Sequence, residues 1–446
     1  MLNAISYKIY EMRKYLVLSL AISIIAIPIA DSFVIERDRN RNEMYGEAFW
    51  IYGFGIYNMT DTQLASALPV FNDTKHTLPP YLGNVTYEYP VFGLVFFAIA
   101  TWLFPGLEGQ LQHLWLNFLL VLVFNLNLVL IAVLLREKIY DTKWARMFFG
   151  AYYVYGLIMS AGGGKNEPIA DCLMLMALVL RNEGQMGKAM FTLGLAVQSK
   201  IYPGVVFPIL FLESPVSAVW FLLSTLLTIV PFVFLGANFD SLLSHFLNTT
   251  SYSTYIVNPM FPGLFLGTPL IEGSSNQYYM WPPALIPLVL YLGFIAYTIP
   301  LYIPHRQDFR GKVRLKKILV LTPLYVSLLP LILFVYRWVM PWYLFWLGIA
   351  IFVFDNDRHA VGYLKQMTIV GFLYAYGLAC NWWYFISGPL PDFMSHFTSG
   401  WYTLFGLSLM LVLTGVSYRI WKWTFERREQ RALLISEAEA RGELVI

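Results

Sequence analysis

The chain has 446 residues, of which 58% are hydrophobic and 13% charged. Soluble domains carry roughly 25% charged residues, so this balance excludes an ordinary water-soluble protein and makes the lipid bilayer the first expected partner. The formal charge of +3 gives no reason to expect nucleic acid, because basic residues in such a chain mostly set orientation.

The first apolar run, Tyr15 to Ala30, follows Lys8, Arg13 and Lys14 and precedes no small-residue cleavage site, so it reads as a retained helix rather than a removable signal peptide. A spanning helix needs roughly 20 apolar residues, fewer where the bilayer thins or flanking charges snorkel. That rule predicts an all-α polytopic bundle of about twelve spans. They fall at 15–31, 112–135, 147–161, 168–181, 187–199, 201–212, 216–236, 283–303, 318–336, 341–354, 366–386 and 401–422. The breakers GGGKNEP (162–168) and Tyr202-Pro203 divide the four short spans between 147 and 212. One transmembrane unit is expected over 1–422, with an outer loop at 32–111 that includes interfacial helices. A mixed-charge, helix-prone cytoplasmic tail occupies 423–446.

The apolar stretch Tyr89 to Phe104 is left as an interfacial or re-entrant segment, because charge decides its status. With it left out, 23 of the 30 basic residues fall in cytoplasmic ends and loops; counting it would put the cations from Arg306 to Lys317 outside. Both termini are then cytoplasmic. A prokaryotic cell membrane is the favoured location, with the endoplasmic reticulum membrane as the alternative. The four N-x-Ser/Thr triplets, at Asn58, Asn72, Asn84 and Asn248, all lie in outer loops on this topology, which makes a glycoprotein an open reading.

The outer loop Ser32 to Glu88 is the longest polar stretch, and loops of that length are usually functional or disordered. Its GEAFWIYGFGIY (46–57) suits an amphipathic helix on the membrane surface. Cys172 and Cys380 lie in apolar runs as small buried hydrophobes, with no disulfide expected. The six histidines form no metal-ligand spacing; no cofactor is expected, and a divalent metal is left open.

Ionisable groups at membrane depth cost about 2.5–3.5 kcal/mol each on insertion scales, so those at span ends mark candidate chemistry. The first loop offers Asp31, Glu36, Asp38, Glu43, Glu47 and Glu88, with Glu43 and Glu47 four apart on one helix face. Lys165, Lys200 and Arg337 stand as isolated cations at outer span ends. A carboxylate loop facing cations at one membrane surface supplies a general base and an anion clamp, the two parts of a transfer with a phosphate leaving group.

EMYGEAFWIYGFGIY (43–57) followed by TYEYPVFGL (86–94) resembles the multi-pass glycosyltransferases of the GT-C class. Within that class it is most similar to the family of the catalytic subunit of the first GPI mannosyltransferase and related polyprenyl-phosphate-mannose enzymes. NEPIADCLMLMALVL (166–180), LGLAVQSKIYPGVVFPI (193–209), SLLSHF (241–246) and MPWYLFWLGI (340–349) resemble that family's segments in the same order, with KIYP and TYEYP the most specific. The resemblance implies a GT-C fold with a long first outer loop, and an inverting transfer of a sugar, usually mannose, from a polyprenyl phosphate to a hydroxyl of a glycan or lipid acceptor. It also implies a base early in the first loop. In the family an Asp-containing pair stands there; in this chain the register falls at Arg39 to Arg41, and the nearest acids are Asp38 and Glu43.

The expected site therefore has Glu43 as base ahead of Asp38 and Glu47. Lys200, Arg337 and Lys165 hold the donor phosphate, and Glu88, Tyr89 and Tyr202 position the acceptor or outer loop. An accessory membrane subunit is an open partner. The rival reading is a transporter or lipid-linked-sugar flippase, for which Asp171 would be the mid-span charge, although no repeat relates the two halves. A catalytically silent partner subunit is the third reading.

Overall fold

The computed structural model describes residues 2–32, 37–68, 86–87, 89–103, 112–135, 139, 142–235, 325, 329, 343–354, 360–365 and 367–368. The chain divides into two compact units, one of Met1–Tyr252 with Phe345–Val353, the other of Ser253–Leu344 with Phe354–Ile446. Among the described residues all repetitive structure is helical, and an isolated antiparallel bridge pairs Thr60 with Thr86. In the second unit a short helical stretch at 360–365 packs Tyr363 on Phe354, ring centroids 5.7 Å apart.

In chain order the first unit holds α1 (Leu2–Ser32), α2 (Arg37–Tyr52), α3 (Asp61–Ala67), α4 (Val91–Leu103), α5 (Gln112–Leu134) and α6 (Lys143–Leu157). After these come α7 (Glu167–Asn182), α8 (Met186–Ser199), α9 (Phe207–Glu213) and α10 (Ala218–Phe234). The end of α11 (Tyr343–Gly348) and the 3₁₀ turn Ile349–Val353 complete it. Among the described residues two helices are long and apolar enough to cross a membrane, α1 over Ile5–Ile29 and α5 over Trp115–Leu134.

Helices thus stand at all eight expected spans that fall on described residues, but six of them do not reach the length and apolarity of a span. The expected spans at 283–303, 318–336, 366–386 and 401–422 lie outside the described residues, apart from single positions, as do the loop 238–282 and the tail. Two boundaries also move. α1 begins well before the expected start at Tyr15, because the polar turns around Lys8 and Glu11 are helical and joined by a 2.7 Å ion pair. The surface helix expected at 46–57 starts at Arg37 and ends at Tyr52, where a 3₁₀ turn over Gly53–Asn58 takes over. The stretch Tyr89 to Phe104 becomes α4, 13 residues or about 20 Å long, short of a bilayer's roughly 30 Å core.

Packing explains the arrangement. Met44, Tyr45 and Ala48 of α2 bury against Leu64 of α3, Tyr87 and Leu94 of α4. A Cβ on Gly46 would meet the Phe97 carbonyl oxygen at 2.7 Å, so glycine lets α2 lie directly on the α4 backbone. Phe97 and Ala100 of α4 meet Leu116 and Leu120 of α5 and Ile169 of α7. Asn127 Nδ2 of α5 donates to the Pro168 carbonyl at 2.9 Å, and Asn117 Nδ2 to the Ala161 carbonyl at 2.8 Å. Such bonds fix neighbouring apolar helices that have little else to hold them in register.

α7 and α8 form a helical hairpin. Its turn is closed by Gly184, whose φ of +73° suits a residue without Cβ, and by the Gln185 N–H donating to the Leu180 carbonyl at 2.9 Å. At this closed end the Arg181 guanidinium grips both carboxylate oxygens of Glu213, at 2.5–3.0 Å. Gly187 and Gly194 lie two turns apart on α8 and let α10 approach, with Trp220 and Ser224 seated against them. The Gln198 side chain donates to the Ser224 carbonyl on the same seam.

Candidate functional site

The open end of the α7–α8 hairpin carries the charged residues. α6 does not run directly into α7. It passes through one π-helical turn, Ile158–Gly162, closed by the Gly163 N–H donating to the Ile158 carbonyl at 2.6 Å and the Lys165 N–H to the Met159 carbonyl at 3.0 Å. Such turns are frequent at functional sites. Gly164 then reverses the chain with φ +56°, and a Cβ there would lie 2.6 Å from Arg39 Cγ. Glycine is required twice over, by the dihedral and by the arginine packed on it.

The first half of α2 lies on this turn. Arg39 packs over Gly164, and Asn42 Nδ2 donates to the Gly164 carbonyl at 2.8 Å. Glu43, only 1% exposed, shares that helix face with Arg39 and Asn42. Glu47 follows one turn later, half-buried, and Asp38 contributes backbone to the first turn of α2.

Beyond the turn, Glu167 is fully buried and its Oε1 accepts from Lys200 Nζ at 2.5 Å. The ammonium sits 5.2 Å from the centroid of the Tyr89 ring and 5.0 Å from that of Trp346, within the range of cation–π attraction. Trp346 stacks on Tyr202 at 4.6 Å and 8°. The Tyr202 hydroxyl donates to Asp171 Oδ1, and the Tyr152 hydroxyl to Asp171 Oδ2 at 2.9 Å. Asp171, 1% exposed, thus has both oxygens occupied inside the helices.

Residues from four separated stretches of sequence meet here: Tyr89 from TYEYP, Glu167 from GGGKNEP, Lys200 and Tyr202 from KIYP, and Trp346 from MPWYLFW. Lys200 is corrected in one respect: it is not an isolated cation but the partner of Glu167, because burial at the hairpin's open end requires a counter-charge. Lys165 lies on the same turn, its side chain folded back over Gly163. Glu88 and Arg337 lie outside the described residues.

Sequence reasoning missed Asn166, Glu167, Trp346 and Asp61. Asp61 is fully buried; its Oδ2 accepts from Arg41 Nε at 2.8 Å and its Oδ1 from the Tyr45 hydroxyl. Arg41 also donates to the Thr86 carbonyl at 3.3 Å, so one arginine ties α2, α3 and the TYEYP segment together. The available signal for Asp61 was the Thr60-x-x-Gln63 capping box, which places it at the first position of a helix. For Glu167 the signal was an acid opening an apolar helix at the same end of the hairpin that Lys200 closes. Among the described residues no group of three or more His, Cys, Asp or Glu side chains stands together as metal ligands. Comparison of the chain with protein-family models, with curated proteins and with solved structures gave no match.

Proposed function

We propose that the protein is a multi-pass membrane glycosyltransferase of GT-C type that moves a sugar, mannose in the first instance, from a polyprenyl phosphate to an acceptor hydroxyl with inversion. The observation that carries this reading is the meeting of a buried first-loop carboxylate helix, a lysine between aromatic rings and the Gly164 turn in one place. In the mechanism Glu43 takes the proton of the acceptor hydroxyl as its oxygen bonds to the anomeric carbon. The bond from that carbon to the phosphate oxygen breaks on the opposite face. Lys200 meets the departing phosphate, with Lys165 and Arg337 as the further cations of the clamp. Fixing both reactants on rigid helices supplies the alignment such a displacement needs.

The lipid setting is supported by the outward faces of α1 and α10. Val17, Leu18 and Ile25 of α1, and Val219, Leu222 and Leu226 of α10, are each more than half exposed. Side chains of this kind in rows are costly in water and at ease in hydrocarbon. We place about twelve spans in the whole chain, with both termini cytoplasmic and the site on the opposite face. Asp171, on which the transporter alternative leans, accepts hydrogen bonds from the Tyr152 and Tyr202 hydroxyls on its two oxygens, which supports a structural role for it. The deciding experiment is transfer of labelled sugar by the purified protein in detergent, from a polyprenyl-phosphate donor set against a nucleotide-sugar donor. Transfer from the lipid donor alone is expected, and no transfer from either would defeat the proposal.

A further inference from the structure

Two adjoining residues at the open end of the hairpin hold buried polar atoms that no group among the described residues satisfies. Glu167 is fully buried, and while its Oε1 is held by Lys200, its Oε2 has no hydrogen-bond partner. Asn166, 2% exposed, has neither amide atom bonded, and its Nδ2 lies against Gly93, where an added Cβ would stand 3.0 Å away. Orphaned buried polar atoms cost free energy and call for a partner. Here two acceptors and one two-proton donor are collected within two residues, beside a lysine whose side chain is 14% exposed. That lysine is the outermost member of the group, and two aromatic rings flank it.

We propose that Asn166 and Glu167 form the subsite that binds the hydroxyls of the donor's pyranose ring. This rests on the function proposed above and adds how the sugar is recognised. When the donor enters, Lys200 exchanges partners, leaving Glu167 for the phosphate. The carboxylate, otherwise stranded as a buried anion, accepts hydrogen bonds from hydroxyls of the ring, and the Asn166 amide donates to one ring hydroxyl oxygen and accepts from another hydroxyl. The hydroxyls thus replace the ammonium on Glu167, which is why a lysine already in an ion pair can serve an incoming anion. A lipid phosphate without its sugar brings the charge but not the hydroxyls. It leaves Glu167 unsatisfied and binds less well.

The test compares wild type, Asn166→Ala and Glu167→Gln, each first checked for its melting temperature. The probes are a short-chain polyprenyl phosphate, the same lipid bearing mannose, and methyl α-mannopyranoside. Wild type is expected to prefer the mannosyl lipid over the bare one by at least about tenfold, in line with the worth of one buried hydrogen bond to a charged group. Both variants should reduce that preference to within about threefold. Glu167→Gln should also bind bare polyprenyl phosphate more tightly than wild type, since it removes the carboxylate that competes for Lys200; the loss of preference for the mannosyl lipid is what a merely structural glutamate would not give. Equal binding of the two lipids by wild type, a preference that survives in both variants, or a loss confined to the acceptor's KM overturns the subsite. Unchanged preference together with transfer activity refutes the subsite and keeps the function. Methyl mannoside binding that is lost in both variants, without transfer from any polyprenyl phosphate, does the reverse.

Discussion

Replacing Asp61 by alanine isolates what the buried ion pair does. Arg41 and Asp61 are 4% and 0% exposed, and the pair is the hinge between α2, α3 and the segment at Thr86. Removing one partner of a buried pair costs about 3–5 kcal/mol, because the other is left as an uncompensated charge. In Asp61→Ala the guanidinium loses the Nε bond to its counter-charge and keeps the 3.3 Å bond to the Thr86 carbonyl, and the Tyr45 hydroxyl loses its bond to the carboxylate, worth about a further 1 kcal/mol. At about 2–4 °C per kcal/mol for a unit of this size, the melting temperature should fall by roughly 10 °C or more. Thermal unfolding in detergent, followed by tryptophan fluorescence, measures it. The double variant Arg41→Met/Asp61→Leu removes both charges and should recover most of the loss, since apolar replacement of a whole buried pair is often neutral. Asp61→Ala within about 2 °C of wild type, or a double variant no better than the single one, would refute the reasoning.

Glu43→Gln should lower transfer about 10²–10⁴-fold in stably folded protein, the usual contribution of a general base, with Asp38→Asn next and Glu47→Gln third. If all three keep more than about a tenth of wild-type turnover, none of these carboxylates is the base. Gly194→Ala places a methyl 1.7 Å from Ser224 Oγ and 3.1 Å from the Phe221 carbonyl oxygen. Overpacking of this kind costs about 1–3 kcal/mol in thermal stability, and adding Ser224→Ala should return part of it because the nearest contact disappears. Single cysteines at the exposed positions Asn58 and Lys188 should react with an impermeant maleimide from opposite sides of sealed vesicles, and reaction from one side would sink the topology.

Helix positions were legible from hydropathy and breakers, because the GGGKNEP run and Tyr202-Pro203 interrupt apolar periodicity in ways that any helix must respect. The helices Glu167–Asn182 and Met186–Ser199 therefore stand at the expected spans 168–181 and 187–199, though neither is long and apolar enough to cross a membrane. Partners were another matter. Lys200 stands alone in a linear reading, and its counter-charge lies 33 residues earlier, on the other arm of the hairpin. Arg41 and Asp61 are separated by 20 residues and a 3₁₀ turn that hydropathy does not signal. Trp346 reaches the site from a stretch read as a span and as a segment of the resemblance, with no role given to the tryptophan. Pairing of this kind is set by tertiary packing, and a pattern of residue types along one chain does not encode it. The resemblance drew attention to Lys200 and Tyr202 but passed over the acid and the amide beside them.

That Glu167 and Lys200 stand on the two arms of one hairpin also bears on how the chain is made. At synthesis rates of about 5–20 residues per second, the lysine follows the glutamate from the ribosome within roughly 2–7 seconds. If this hairpin crosses the bilayer, as the proposed function has it, an arm entering by itself would carry an uncompensated charge, at about 2.5–3.5 kcal/mol on insertion scales. A hairpin that closes at Gly184 first presents Glu167 and Lys200 as a neutral couple, while Arg181 keeps Glu213 as its partner at the closed end. In Lys200→Ala the glutamate would have to be delivered without its companion. The yield of that variant in the membrane then reports on delivery, while the turnover of the molecules that arrive reports on chemistry, and the two quantities can be read from one preparation.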